Sequence, residues 1–179
     1  AESHNLSIQA NYEHVAREID VTSLVDYILI NSFVVCTDWI NWNTSVWRGL
    51  DPNGTHKKWG FVLWDEDATF NHYINYTNVP NEDPDAYPCY PEWINSDPLG
   101  VIDILNALLE NEEFTQYYYT RYMDLLNTTF IEDDMIELLE GIENSIESDM
   151  PQHINRWGGS MFEWRGNVAK IKNFISDRI

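Results

Sequence analysis

Positive charge is what this sequence has least of: 10 Lys and Arg stand against 30 Asp and Glu in 179 residues, a net charge of -20. Nucleic acid and anionic membrane surfaces are therefore poor candidates for partners, whereas a cation or a basic substrate is easier to accommodate. Cysteine is nearly absent. The two present, Cys36 and Cys89, are too few for a disulfide framework and cannot be paired from sequence. No run of about 18 apolar residues exists that could span a membrane, because the longest, Tyr27 to Cys36, is interrupted by Asn31 and Ser32. Ala1 to Ile8 is polar and carries no signal-peptide pattern. The eight glycines are scattered, and Gly158-Gly159 sits far downstream beside Trp157, so no glycine-rich phosphate loop is present. His4, His14, His56 and His153 share no ligand spacing, which argues against zinc. His72, alone in a loop five residues after Asp67, reads as a bystander that could line a nearby site.

What is present is enough aromatic and aliphatic material to fill the core of one domain over residues 1–179. Ala1 to Glu18 reads as loop or a short helix. Asp20 caps a helix from Val21 to about Val35, with Leu24, Val25, Ile28 and Leu29 on one face. Asn71 to Asp97, rich in Asn, Asp, Pro and Tyr, is irregular, and irregular stretches of that length are usually functional or mobile. Beyond it the pattern is helical. Asp97-Pro98 opens one helix, and Glu112 to Leu126 forms a second. A capping box at Thr129 to Glu132 starts a third that Pro151 stops, and a fourth begins near Met161. The acids Glu132, Asp133, Asp134, Glu137, Glu140, Glu143 and Glu147 read as a solvated helix face. Asn5, Asn43, Asn53, Asn75 and Asn127 head glycosylation-type sequons of the kind an Asn-rich chain produces without meaning.

The stretch that looks built for chemistry is Asp38 to Phe70. A strand over Ser45 to Arg48, a turn at Asp51-Pro52-Asn53-Gly54 and a strand over Trp59 to Trp64 form a β-hairpin. Closing it brings Asn43, just before the first strand, beside Asp65, just after the second, with Asp38 in the preceding loop. Hard oxygen ligands gathered in this way suit a hard cation. Asp and Asn are common in the chain, and Asp83-Pro84-Asp85 is a second Asp-x-Asp, so spacing by itself is weak. Order adds more: a loop Asp, an Asn five residues on, a hairpin and then an Asp is the order in protein kinases. Trp39, Trp42, Trp47, Trp59 and Trp64 read as core and rim packing between hairpin and helices rather than as a binding platform.

Thr37-Asp38-Trp39, Asn43, Lys58-Trp59 and Trp64-Asp65-Glu66-Asp67-Ala68-Thr69-Phe70 resemble the motifs of the CotH-type family of spore-coat and cell-surface atypical protein kinases. Asn111-Glu112-Glu113-Phe114 with Tyr117 and Arg121, and Phe174 to Arg178, resemble its helical tail, so the likeness covers nearly the whole chain. The resemblance implies an α+β, mainly α fold: a small hairpin carrying the site, set on a four- or five-helix body like the C-terminal lobe of a kinase. It implies Asp38 as catalytic base, Asn43 and Asp65 as metal ligands with Asp67 as an alternative or additional one, ATP with Mg²⁺ (or Mn²⁺ or Ca²⁺), and a Ser/Thr protein substrate, expected to be basic and Ser-rich. It also implies a spore-coat, secreted or cell-surface location. Only 37 residues precede Asp38, too few for a nucleotide-clasping lobe, so the chain is expected to be the C-terminal portion of such a kinase and inactive by itself. A non-catalytic coat or surface domain, and a structural Ca²⁺ site in the same carboxylates, are the competing readings.

Overall fold

The computed structural model describes residues 5–40, 42–72, 74–75, 77–91 and 96–179. His4 and positions 73, 76 and 92–95 of the irregular stretch lie outside the described residues. Helices α1 (Gln9–Glu18) and α2 (Val21–Phe33) are followed by strands β1 (Ser45–Trp47) and β2 (Gly60–Val62). Five helices complete the chain: α3 (Val101–Leu108), α4 (Glu112–Thr128), α5 (Glu132–Ile146), α6 (Met150–Trp157) and α7 (Met161–Arg178). The expected class, mainly helical with one small hairpin, is the observed one, with more and shorter helices than the four or five anticipated.

Helix α2 is the centre of the molecule. Asp20 caps it as its position before Val21 dictates, its carboxylate accepting from the Ser23 amide at 3.1 Å. Leu24, Val25, Tyr27, Ile28, Leu29 and Phe33 are all buried, so α2 is covered on most sides. Helix α3 contributes Leu105 and Leu108, α4 contributes Phe114 and Tyr118, and the loop after α2 contributes Trp39 and Ile40. Burying each such side chain fully stabilises the fold by about 1.5–3 kcal/mol. Phe130 stacks on Phe33 at 3.9 Å, and Arg121 of α4 grips Asp26 of α2 in a two-pronged ion pair of 2.7 and 3.0 Å.

The hairpin is short, with Ser45 opposite Val62 and Trp47 opposite Gly60. It is held from below by α2 and by the end of α1: the Ser23 hydroxyl accepts from the Phe61 amide at 2.8 Å, and the Trp59 amide donates to the Glu18 carbonyl at 2.8 Å. Trp39 alone of the five tryptophans expected to pack is buried; Trp42, Trp47, Trp59 and Trp64 are exposed. Three-residue strands leave no second layer under which those indoles could go.

Three helix boundaries differ from the sequence reading, each for a local reason. Asp97 does cap α3, accepting from the Val101 and Ile102 amides at 2.9 and 2.8 Å, but across a turn in which Gly100 takes φ 66°, so the helix starts at Val101 rather than at Pro98. Thr129 closes α4 instead of opening α5, which begins after Ile131 without a side-chain cap. Pro151 does not stop a helix: it sits in the first turn of α6, where its missing N–H costs nothing. The acidic side of α5 also differs from expectation, since Glu140 and Glu143 bind Lys172 and Glu147 binds Arg165 on α7. Turned this way, α5 exposes Leu138, Ile142 and Ile146. Among the described residues, no helix is long and apolar enough to cross a membrane.

Candidate functional site

Two loops form the site: the one leaving α2 and the one leaving β2. Their backbones are tied side by side, the Phe70 amide donating to the Val34 carbonyl at 2.8 Å and the Thr37 amide to the Ala68 carbonyl at 2.9 Å. The Thr77 hydroxyl bonds the Thr37 carbonyl from the irregular stretch. Val35, Asp65 and Phe70 take φ of 49°, 60° and 57°, values that non-glycine residues hold only where surrounding contacts force them. The strain therefore falls on both loops, at the start of one and at both ends of the other.

Asp38 sits at the centre and is buried, 6 % exposed. The amide nitrogen of Asn43 donates to one of its oxygens at 3.1 Å, and the Cys36 thiol lies 3.6 Å from the other. The loop between them is closed by its own backbone: the Asn43 amide reaches the Asp38 carbonyl at 3.4 Å, and the Thr44 hydroxyl donates to the Trp39 carbonyl at 2.7 Å. Tyr27 supports this turn from α2, its hydroxyl donating to Thr44 at 3.2 Å and its ring packing on Trp39 at 5.2 Å. Burial pushes the Tyr27 phenol up to about 12, so it stays a neutral donor.

Burial also raises the Asp38 carboxyl above its usual range, and the charges of Asp67 and Asp65 push the same way against the bonds from Cys36 and Asn43. Asp38, Asp65 and Asp67 are thus within electrostatic reach of one another, as the hairpin argument requires. Asp65 and Asp67 are exposed, whereas Asn43 is half-buried with its side-chain oxygen left free by the bond its nitrogen makes. Glu66, passed over in the sequence, belongs to the same group. Burial first, then the charges of Asp38 and Asp65, raise its carboxyl to about 7, and its Oε2 is buried without a partner. Periodicity could not have found it, because β2 ends at Val62 and Asp65 takes φ of 60°, so no strand alternation runs on to Glu66. The Cys36 thiol, donating to Asp38 and within electrostatic reach of Glu66, is pushed up by burial and is not a ready nucleophile. Cys36 and Cys89 are both free.

Hard oxygens and one buried carboxylate oxygen without a partner suit a hard cation in kind. In arrangement they are not yet a cage: among the described residues no three His, Cys, Asp or Glu side chains converge tightly enough to hold a metal ion. Asp83 and Asp85, the second Asp-x-Asp, are occupied in a turn, accepting from Asn71 at 2.8 Å and Asn81 at 3.0 Å. His72 is exposed in the turn after Phe70.

The family described as CotH kinase protein matches residues 2–179. No curated protein and no solved structure matches the chain.

Proposed function

The chain belongs to the CotH kinase family, and from that premise we propose that it carries the base and the cation ligands of a phosphotransferase acting from ATP on Ser or Thr hydroxyls of a protein. The observation that carries this reading is Asp38: a buried carboxylate, oriented by Asn43, in a loop whose backbone is bonded to the loop bearing Asp65 and Asp67. Asp38 would accept the proton released as the substrate oxygen bonds the γ-phosphorus and the ADP oxygen departs. Its partial desolvation makes it a stronger base than a surface aspartate. The Asn43 side-chain oxygen and the Asp65 carboxylate, with Asp67 in addition, would hold Mg²⁺, which when bound neutralises the phosphate oxygens. The net charge of -20 favours a basic, Ser-rich protein as substrate. A nucleotide-clasping lobe would complete the site, and residues 1–179 alone should transfer no phosphate, because positioning is most of what a kinase contributes.

The two carboxylates are separated by experiment. Asp65→Asn should weaken Mn²⁺ binding to the chain about tenfold or more, whereas Asp38→Asn should leave it within about twofold. Both should abolish transfer in protein that also carries the nucleotide-clasping lobe. Equal effects on metal binding would remove the distinction between base and ligand. A second reading, a non-catalytic spore-coat or cell-surface domain keeping the fold, is favoured by the absence of converging ligands among the described residues. Absence of Mn²⁺ binding at millimolar concentration would select it.

A further inference from the structure

Below the site, helix α7 and the segment after Phe70 enclose a groove of about 340 Å³, the volume of a small ligand pocket. Phe70 and Phe174, edge to face at 5.6 Å, make its floor, and Asn71 and Asn173 bring amides to it. Its two charges are Lys170 and Asp177. Among the described residues neither has an ion-pair or hydrogen-bond partner, although Lys172 and Arg165 on the same helix are both paired. The wall opposite is fixed. Arg178, next to Asp177, donates to the Pro84 carbonyl at 2.6 Å and also to that of Ala86, so the groove does not depend on a ligand to form. Phe70 and Asn71 hold φ of 57° and 50° where the metal-ligand loop passes into the groove. Two consecutive left-handed non-glycine residues are rare enough to point to a functional constraint.

We propose that this groove binds an extended polypeptide segment with one acidic and one basic side chain three residues apart and an apolar side chain between them. The spacing follows from geometry: seven residues of helix, close to two full turns, put Lys170 and Asp177 on one face with a rise of about 10 Å between them, and three residues of an extended chain in the polyproline-II conformation cover ~9 Å and return to the same face. An acid then meets Lys170, a base meets Asp177, and the intervening apolar side chain lies on the Phe70 and Phe174 rings. The Asn173 amide, and the side-chain oxygen of Asn71 whose nitrogen is held by Asp83, serve the peptide backbone. The groove starts three residues beyond Asp67, so a segment held there delivers its continuation towards Asp38. Only this last step, which makes the segment part of the protein substrate, rests on the phosphotransfer reading.

The test is fluorescence anisotropy of the chain, without nucleotide or metal, against labelled peptides containing Asp-Leu-Ser-Lys, Lys-Leu-Ser-Lys or Asp-Leu-Ser-Asp at about 0.15 M salt, where the Debye length is about 8 Å. The mixed peptide should bind about three- to fivefold tighter than either of the others, the range of a partly exposed ion pair. Lys170→Glu should move the preference to the doubly basic peptide and Asp177→Lys to the doubly acidic one, independent of the direction in which the peptide lies. A preference for the basic peptide that neither substitution alters would be the general field of an acidic protein, and would overturn the proposal. Equal competition by free lysine or aspartate would assign the groove to a small ligand and overturn it as well. Peptide selectivity in the chain together with no transfer by protein that also carries the nucleotide-clasping lobe would refute the proposed function and leave the groove standing; transfer by that protein without peptide selectivity would do the reverse.

Discussion

Glu66 is placed where ionisation is unfavourable. Its carboxyl, at about 7 in the folded chain, lies above the ordinary glutamate value, so the folded state holds its proton through a range in which the unfolded state has lost it. Its contribution to stability is complete below about pH 4.3 and is lost as pH rises towards about 7. Glu66→Gln keeps the shape and removes the titration. The variant should gain stability over the parent at pH 8 and lose that advantage at pH 4, as read from urea midpoints; parallel pH profiles would show that Glu66 is not held in this way. That the loop of Asp38 and Asn43 would lie beside the loop of Asp65 and Asp67 was legible in the sequence, because hairpin closure fixes neighbours by connectivity. The approach of Glu66 to Asp38 and Cys36 was not legible, since it depends on the two loops lying side by side, which Val35 and Phe70 achieve through backbone angles no residue pattern announces.

At the level of elements, the C-terminal turn of α7 is the fastening for two others. Arg178 donates to the Ser32 and Phe33 carbonyls at the end of α2, each at 2.9 Å, and to the 84–86 turn, its guanidinium lying over the Phe33 ring at 5.8 Å. A cation on the last carbonyls of a helix suits both their unmet acceptors and the helix dipole. Arg178→Ala should destabilise the chain by about 2–4 kcal/mol, and Arg178→Lys should recover little, because one ammonium cannot reach acceptors on two elements. A loss under about 1 kcal/mol in denaturant unfolding would contradict that role. Helices were the most legible elements, α2, α4 and α7 falling close to where cap and periodicity put them. Boundaries failed where one residue type has two uses: Thr129 ends a helix as readily as it starts one, and Pro151 opens a helix as well as stopping one.

Across the whole molecule the charge imbalance of -20 is borne by a surface with few compensating pairs, so compaction gathers like charges. Raising NaCl from about 0.05 to 0.5 M should raise the melting temperature by a few °C, each kcal/mol regained being worth about 2–4 °C in a chain of this size. A melting temperature that falls with salt would mean that the ion pairs of α5 with α7 and of Arg121 with Asp26 outweigh the repulsion. The fold class was readable because burial of α2 and the small hairpin are both written in periodicity. The groove was not, because it joins Phe70 to Lys170 and Phe174 across a hundred residues. That long closure has a consequence in time. The loop that carries Asp38 follows Phe33 closely, yet Arg178, which fastens the Phe33 carbonyl, is made 145 residues later. During synthesis the acidic loops therefore wait unlatched while the intervening helices are made, and a product cut short before Arg178 has the residues of the site without the clasp that seats them.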